Sequence, residues 1–243
     1  MRSLYHTILE YLKVNHILAN QDKIIRQQSE ILNALTFNST IADSEWLKYK
    51  SFSPGKWAVD YGFLYTLYRV LNDTHPHSIL EFGLGQSSRM LHQYGSYWKC
   101  DVVTCEHNQN WISFFLKEIA GRYKVNFQLL DLEKITYKGY ETLTYKNINN
   151  IVRDKKFDLI LVDGPFGSEH FSRSQIIELS NNNLDKSFCI IMDDYERSGE
   201  KETAEEIEYV LKEKSIDYCK RVYCSSKEHI LICSSNLEFL TTL

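Results

Sequence analysis

The sequence predicts an α/β protein: a doubly wound, seven-stranded sheet, parallel except for a closing antiparallel hairpin, with a helical extension ahead of it. Three observations predict it. From residue 78 onward short apolar runs recur at Ile79–Phe82, Val102–Cys105, Val125–Leu130, Phe157–Val162 and Phe188–Met192. Each is apolar enough to be covered on both faces, as a strand in a parallel sheet is. Stretches of helical length lie between them and after them, at Ser87–Tyr94, Gln109–Arg122, Ser172–Asn182 and Lys201–Lys214, and this alternation marks parallel pairing. The runs Asp217–Tyr223 and Glu228–Ile232 are separated only by Cys224-Ser-Ser-Lys227, too short for a parallel crossover, so that pair is antiparallel.

Ahead of the sheet, apolar residues repeat at seven-residue intervals in adjacent columns: Ile17, Ile24 and Ile31 beside Leu4, Tyr11, Leu18, Ile25 and Leu32. That stripe predicts one long helix, or two in line, over residues 1–35. Its other faces are polar, so it packs either on the domain that follows or against a second copy of itself as a homodimer. After Ser53-Pro54-Gly55, the segment Trp57–Leu71 carries a second helix rich in aromatics (Trp57, Tyr61, Phe63, Tyr65, Tyr68), most of them core. The chain thus divides into a helical extension, 1–74, and a ligand-binding domain, 75–243.

With 243 residues, 43% of them hydrophobic, the chain can bury one full core with an appendage. A net charge of -4 lacks the basic excess with which proteins meet nucleic acid or anionic membranes, so a small-molecule partner is expected. None of the six cysteines forms a CxxC pair, which reads as reduced thiols in a cytoplasmic protein. The start lacks an apolar secretion segment, and no run is long enough to span a bilayer. The glycosylation match at Asn38-Ser-Thr40 is therefore incidental.

The first strand ends in Glu81-Phe-Gly83-Leu-Gly85-Gln86-Ser87-Ser88 and a helix follows. A strand, a glycine turn and a helix start present backbone N–H groups at the carboxyl edge of the sheet, where α/β proteins bind ligands. Gly83 and Gly85 allow close approach, Gln86 lies beside them, and Ser87 or Ser88 can cap the helix and offer a hydroxyl. A carboxylate at Glu81 suits an ammonium-bearing ligand and repels a pyrophosphate. The second strand ends at Glu106, placed for the two hydroxyls of a ribose, with His107 next to an adenine. The third ends at Asp131, placed for the exocyclic amine of that base. One such carboxylate alone reads more often as a solvated loop residue; three in order at the correct strand ends seldom arise by chance.

The fourth strand ends at Asp163 and runs into Gly164-Pro-Phe-Gly167-Ser-Glu-His170-Phe-Ser-Arg173, a rigid turn able to wrap a substrate. His170 is the candidate general base, with a surface histidine at a helix start as the alternative; His229 is a more distant candidate. Arg173 either pairs with an anionic substrate group or is solvated. The fifth strand ends in Asp193-Asp194-Tyr195. Asp163, Asp193 and Asp194 would then gather at neighbouring strand ends and could hold a hard divalent cation; alternatively Asp193 caps the next helix and Asp194 is solvated. Trp46, Trp57, Tyr61 and the stretch Tyr137–Asn150 are placed to close over a substrate.

These motifs resemble the class I S-adenosylmethionine-dependent methyltransferases, in which an acidic residue precedes Gly-x-Gly and a ribose-binding carboxylate follows strand two. The resemblance covers Ser78 to Ile232 and includes the closing antiparallel hairpin of their Rossmann-like sheet, which dinucleotide-binding dehydrogenases lack. The third glycine of the dehydrogenase pattern is Ser88 here. The Asp-Asp-Tyr ending is similar to that of metal-dependent sugar O-methyltransferases, themselves similar to catechol O-methyltransferases. That likeness implies S-adenosylmethionine as cofactor, Mg²⁺ on Asp163, Asp193 and Asp194, and O-methylation of a sugar or another small hydroxylated metabolite. Asp163-Gly-Pro departs from the more polar turn of those enzymes and brings no lysine base nearby. Two alternatives stay open: a metal-independent methyltransferase in which Asp163 and His170 move the proton, and a non-catalytic scaffold of the same fold.

Overall fold

The computed structural model describes residues 2–55, 57–119 and 121–243, with the side chains at 2–10 and 12 also outside the description. Met1, Lys56, Ala120 and the part of Leu4 in the apolar stripe therefore lie outside the described residues. Helix α1 (Arg2–Thr40) is continuous. Along it Tyr11, Val14, Ile17, Leu18, Ile24, Ile25, Ile31, Leu32 and Leu35 are half or more exposed, whereas Phe37 and Ile41 at its end are buried. Helix α2 (Tyr61–Thr74) starts four residues later than Trp57 because Asp60 caps it, its carboxylate accepting the Phe63 N–H at 2.9 Å.

The alternating part follows as β1 (Ser78–Phe82), α3 (Gln86–Trp98), β2 (Asp101–Glu106), α4 (Gln109–Ile119) and β3 (Phe127–Leu129). Then come β4 (Leu132–Tyr137), β5 (Tyr140–Tyr145), α5 (Asn149–Val152), β6 (Phe157–Val162), α6 (Gln175–Asn182), β7 (Leu184–Met192), α7 (Ser198–Glu213), β8 (Tyr218–Cys224) and β9 (Glu228–Ser234). Seven strands form one sheet in the order β3-β2-β1-β6-β7-β9-β8, and β9 runs antiparallel to both β7 and β8. The doubly wound sheet with its closing hairpin is thus as the sequence predicts.

Two differences have local causes. β3 keeps only the centre of the Val125–Leu130 run, because the chain leaves the sheet edge at once for a separate antiparallel hairpin, β4 with β5. Its turn is Lys138-Gly139, both at positive φ (48° and 89°), the conformation that two-residue hairpins favour.

Alternation along each strand sends side chains to two core layers. On one face Ile79, Leu159, Ile191 and Leu231 meet Phe63, Leu64, Leu67, Met90 and Leu91, together with Phe37, Ile41 and Leu47. On the other, Leu80, Ile160, Ile190 and Ile232 meet Ile176, Leu179, Ile207 and Leu211. Each fully buried side chain of this kind contributes roughly 1.5–3 kcal/mol, so the extension and the sheet domain share a core rather than merely touch. Among the described residues no helix is long and apolar enough to cross a membrane.

Candidate functional site

A cavity of about 490 Å³ opens at the carboxyl edges of β1, β2, β6 and β7, in the size range of small-molecule sites. Its floor is the contact of two glycine turns. Gly83 has φ 94°, and a Cβ there would lie 2.6 Å from the Asp163 carbonyl oxygen; a Cβ on Gly164 would lie 2.9 Å from the Gly83 nitrogen. The turns after β1 and β6 can meet only without side chains. A Cβ on Gly85 would meet nothing within 4 Å, which leaves that stretch of backbone open to the cavity.

The carboxylate of Glu81 lies beneath this turn and is fully buried. Ser87 donates to one of its oxygens and Thr104 to the other, both at 2.6 Å, and His92 Nε2 lies 2.9 Å from the Thr104 hydroxyl. Burial pushes Glu81 up to about 7 and His92 down to about 3. Glu81 does not line the cavity, which corrects its expected contact with a ligand ammonium. Ser87 and Ser88 also turn inward, Ser88 accepting the Gly85 N–H at 2.9 Å. All three shape the turn from below. Gln86 does line the cavity and accepts the Ser53 N–H at 3.1 Å, tying the extension to the rim.

Glu106 stands at the end of β2 as the sequence predicts. Its Oε1 accepts the N–H groups of His107 and Asn108, each at 2.8 Å, and its Oε2 that of Leu84 at 3.1 Å. The side chain is thereby fixed at the cavity wall. His107 packs edge-on against Phe166 with ring centroids 4.8 Å apart, and Trp111 Nε1 donates to the Leu84 carbonyl at 2.7 Å; all three rings line the cavity. Asp131 does not. It is exposed, and its backbone carbonyl pairs with Lys146 beside the β4–β5 hairpin, so the expected adenine contact is corrected: the chain has already left the sheet there.

Across the cavity, oxygens of Asp163, Asp193 and Asp194 lie within 4.8 Å of one another. Two cations stand among them, and a third, Arg197, reaches Asp194 Oδ2 at 2.9 Å. Arg173, only 4% exposed, donates through NH2 to Asp194 Oδ2 at 2.9 Å and through NH1 to the Asp193 carbonyl at 3.2 Å, with Asp163 Oδ1 3.6 Å away. Lys227 Nζ lies 3.2 Å from Asp193 Oδ2 and 3.3 Å from Asp194 Oδ1. Burial and then Asp193 push Asp163 well above its ordinary value, and burial pushes Asp193 up to about 6. Burial acts the same way on Asp194, but Arg173, Lys227 and Arg197 outweigh it and hold that carboxyl low.

The donor set alone would suit Mg²⁺, since three carboxylates are hard oxygen ligands. It does not fit as arranged, because each of these carboxylates already faces the buried Arg173 guanidinium or the partly buried Lys227 ammonium, even though Asp193 Oδ1 is buried without a hydrogen-bond partner. Arg173 is accordingly neither solvated nor free for an anionic substrate.

His170 lies outside the cavity. Its Nδ1 is 2.9 Å from Glu202 Oε1 and its ring packs on Tyr140 at 4.0 Å, which corrects it as general base. His229 is buried against Phe63 and Tyr223, bonds Thr66 at 2.9 Å and is pushed down to about 4 by burial. Of the expected cover, Trp57 lines the cavity and is 85% exposed at its mouth, and Tyr145 lines its wall. Trp46 is instead core, stacked on Tyr68 at 5.2 Å.

Lys227 was not anticipated, although a signal for it existed. β9 runs antiparallel to β7, with Ile230 opposite Met192, so the residues before β9 must lie at the carboxyl edge where β7 delivers its aspartates. The turn is held from the extension. Asp60 Oδ2 accepts the Lys227 N–H at 3.0 Å and the Ser226 hydroxyl at 3.1 Å. Ser225 donates to Glu30 of α1 at 2.6 Å and accepts from Asn33 at 2.8 Å.

No family model matches the chain, and no curated protein matches it. Solved structures do. The chain is similar to an SAH-bound methyltransferase from Podospora anserina, at 12% identity and TM-score 0.49 over 91% of this chain and 97% of that one. It is similar to a methyltransferase from Pyrococcus furiosus, at 14% identity and TM-score 0.46 over 84% and 96%. A third is an O-methyltransferase from Bacillus cereus in complex with SAH, at 14% identity and TM-score 0.44 over 85% and 91%.

Proposed function

We propose that the chain is an S-adenosylmethionine-dependent O-methyltransferase acting on a small hydroxylated acceptor, a sugar among them. The observation that carries this reading is Glu106, fixed by three backbone N–H groups at the wall of a cavity that holds Asp163 on its far side. A carboxylate offers about four acceptor sites, so those three leave room on Oε2 for a ribose hydroxyl. His107, Trp111 and Phe166 offer rings for a base beside it, and the bare backbone at Gly85 leaves space for the chain that links nucleoside to sulfonium. With His170 and His229 outside the cavity, Asp163, which lines it, takes the acceptor's proton on this reading. An exposed indole, Trp57, and two cations, Arg197 and Lys227, lining one cavity support a polar acceptor with an apolar face.

Calorimetric titration of the full chain with S-adenosylhomocysteine tests this. Micromolar binding is expected, weakened about tenfold or more by Glu106→Ala, which removes charged hydrogen bonds to the ligand. No binding at millimolar ligand overturns it.

The partner of α1 is, on this reading, a second copy of the chain. Val14, Ile17, Leu18, Ile24, Ile25, Ile31, Leu32 and Leu35 keep heptad spacing along one face and are half or more exposed, the pattern of a coiled-coil seam. Sedimentation equilibrium should give a dimer that Ile24→Glu converts to monomer; a wild-type monomer overturns the assignment. Six unpaired cysteines accord with a reducing, cytoplasmic setting.

A further inference from the structure

We infer that Lys227 and Arg173 take the place of a divalent cation at the three-aspartate centre, so that it works without a metal ion and Lys227 is the positive charge facing the acceptor. That Lys227 faces an acceptor rests on the methyl-transfer reading; that the two cations exclude a metal does not.

A divalent ion bound by Asp163, Asp193 and Asp194 would need their oxygens 2.0–2.6 Å away. Arg173 holds one side of that position, 2.9 Å from Asp194 Oδ2 and 3.6 Å from Asp163 Oδ1. Besides Asp194 and the Asp193 carbonyl, its guanidinium reaches the Pro165 carbonyl at 3.3 Å and lies 3.8 Å from Glu200. So many contacts on a side chain 4% exposed leave it no other place to go.

Lys227 closes the opposite side. Its Nζ sits between Asp193 and Asp194 and lines the cavity, with the side chain 16% exposed. Its backbone is pinned by Asp60, and the preceding Ser225 is pinned by Glu30 and Asn33. Gly62 of α2 packs so tightly on this turn that a Cβ there would lie 2.8 Å from the Ser225 Cβ.

The charges agree with the geometry. The carboxylates of Asp163, Asp193, Asp194 and Glu200 face the side chains of Arg173, Arg197 and Lys227. Even with all four carboxyls ionised, three cations beside them leave little net attraction for a dication, and its entry would unpair a partly buried ammonium. An ammonium can meet an acceptor oxygen at the same rim where a metal would, with the donor that Asp193 and Asp194 leave it.

The test uses Mn²⁺ alone as the probe, followed by electron paramagnetic resonance on the full chain. Wild type should leave the ion free at about 1 mM, a dissociation constant of no consequence for a resident metal. Lys227→Met, and in parallel Lys227→Gln, should gain Mn²⁺ affinity by about tenfold or more, since each leaves the aspartates short of a counter-charge. Asp193→Asn in the same background should abolish the gain. Stoichiometric Mn²⁺ binding by wild type that Asp193→Asn removes overturns the inference. So does a folded Lys227 variant that binds no better than wild type. Neither outcome depends on S-adenosylhomocysteine binding, so failure here and failure of the methyl-transfer reading are told apart.

Discussion

Gly83 answers to two constraints at once: a φ of 94° and a carbonyl oxygen 2.6 Å from where its Cβ would stand. Gly83→Ala should therefore destabilise the chain by about 1–3 kcal/mol and weaken S-adenosylhomocysteine binding, both readable by urea unfolding and calorimetry. Glu81 offers a test through pH. Its folded-state value near 7 exceeds the ordinary 4.5, so the native chain keeps a proton that the unfolded chain has released. Its contribution to stability is present in acid and is lost as pH rises from 4.5 to 7, by up to about 3 kcal/mol. Glu81→Gln should flatten that fall, and identical slopes for both proteins between pH 5 and 7.5 would refute the assignment. At this scale the sequence told which residues stand at strand ends, because strand ends follow from apolar runs. It could not tell which way Glu81, Ser87 and Ser88 point, since a short polar side chain beside a glycine turn serves the turn and the ligand equally well.

The β8–β9 turn owes its position to helices far away in the chain. Asp60 caps α2 with one carboxylate oxygen and holds the turn with the other. Asp60→Ala should then cost about 1–3 kcal/mol and speed hydrogen exchange at the Lys227 amide, whereas unchanged exchange there would mean that the clamp is inert. Strong periodicity made α1 and the strands legible with ends within a few residues. The β4–β5 hairpin escaped notice because Lys138-Gly139 is a weaker turn signal than Asn-Gly or Asp-Gly. His170 misled for a related reason: the segment after Asp163 does wrap the site, but α6 begins only at Gln175, and the irregular residues before it turn the imidazole toward Glu202 on α7.

For the molecule as a whole, the division at residue 74 marks a change of pattern and not a change of core. Phe37, Ile41, Leu47, Phe63, Leu64 and Leu67 lie in the same apolar layer as Ile79, Leu159 and Leu231. A chain starting at residue 75 would uncover that whole face of the sheet, and it should show neither cooperative unfolding by circular dichroism nor ligand binding. The topology was legible from spacing alone; the shared core was not, because an amphipathic stripe does not name its partner.

The clamp on the turn also sets an order of assembly. As the chain is synthesised, Asp163, Asp193 and Asp194 emerge ahead of Lys227, so a nascent chain that has formed β6 and β7 carries a cluster of carboxylates that Arg173 and Arg197 reach but Lys227 does not yet. Those carboxylates must stay hydrated or take up protons until the final hairpin docks against β7. In the docked hairpin the turn is received by Glu30 and Asn33 of α1 and by Asp60 at the start of α2. The three-aspartate centre is thus the last part of the cavity to be completed, and a chain interrupted before residue 227 would hold the Glu106 wall without Lys227 on the far side.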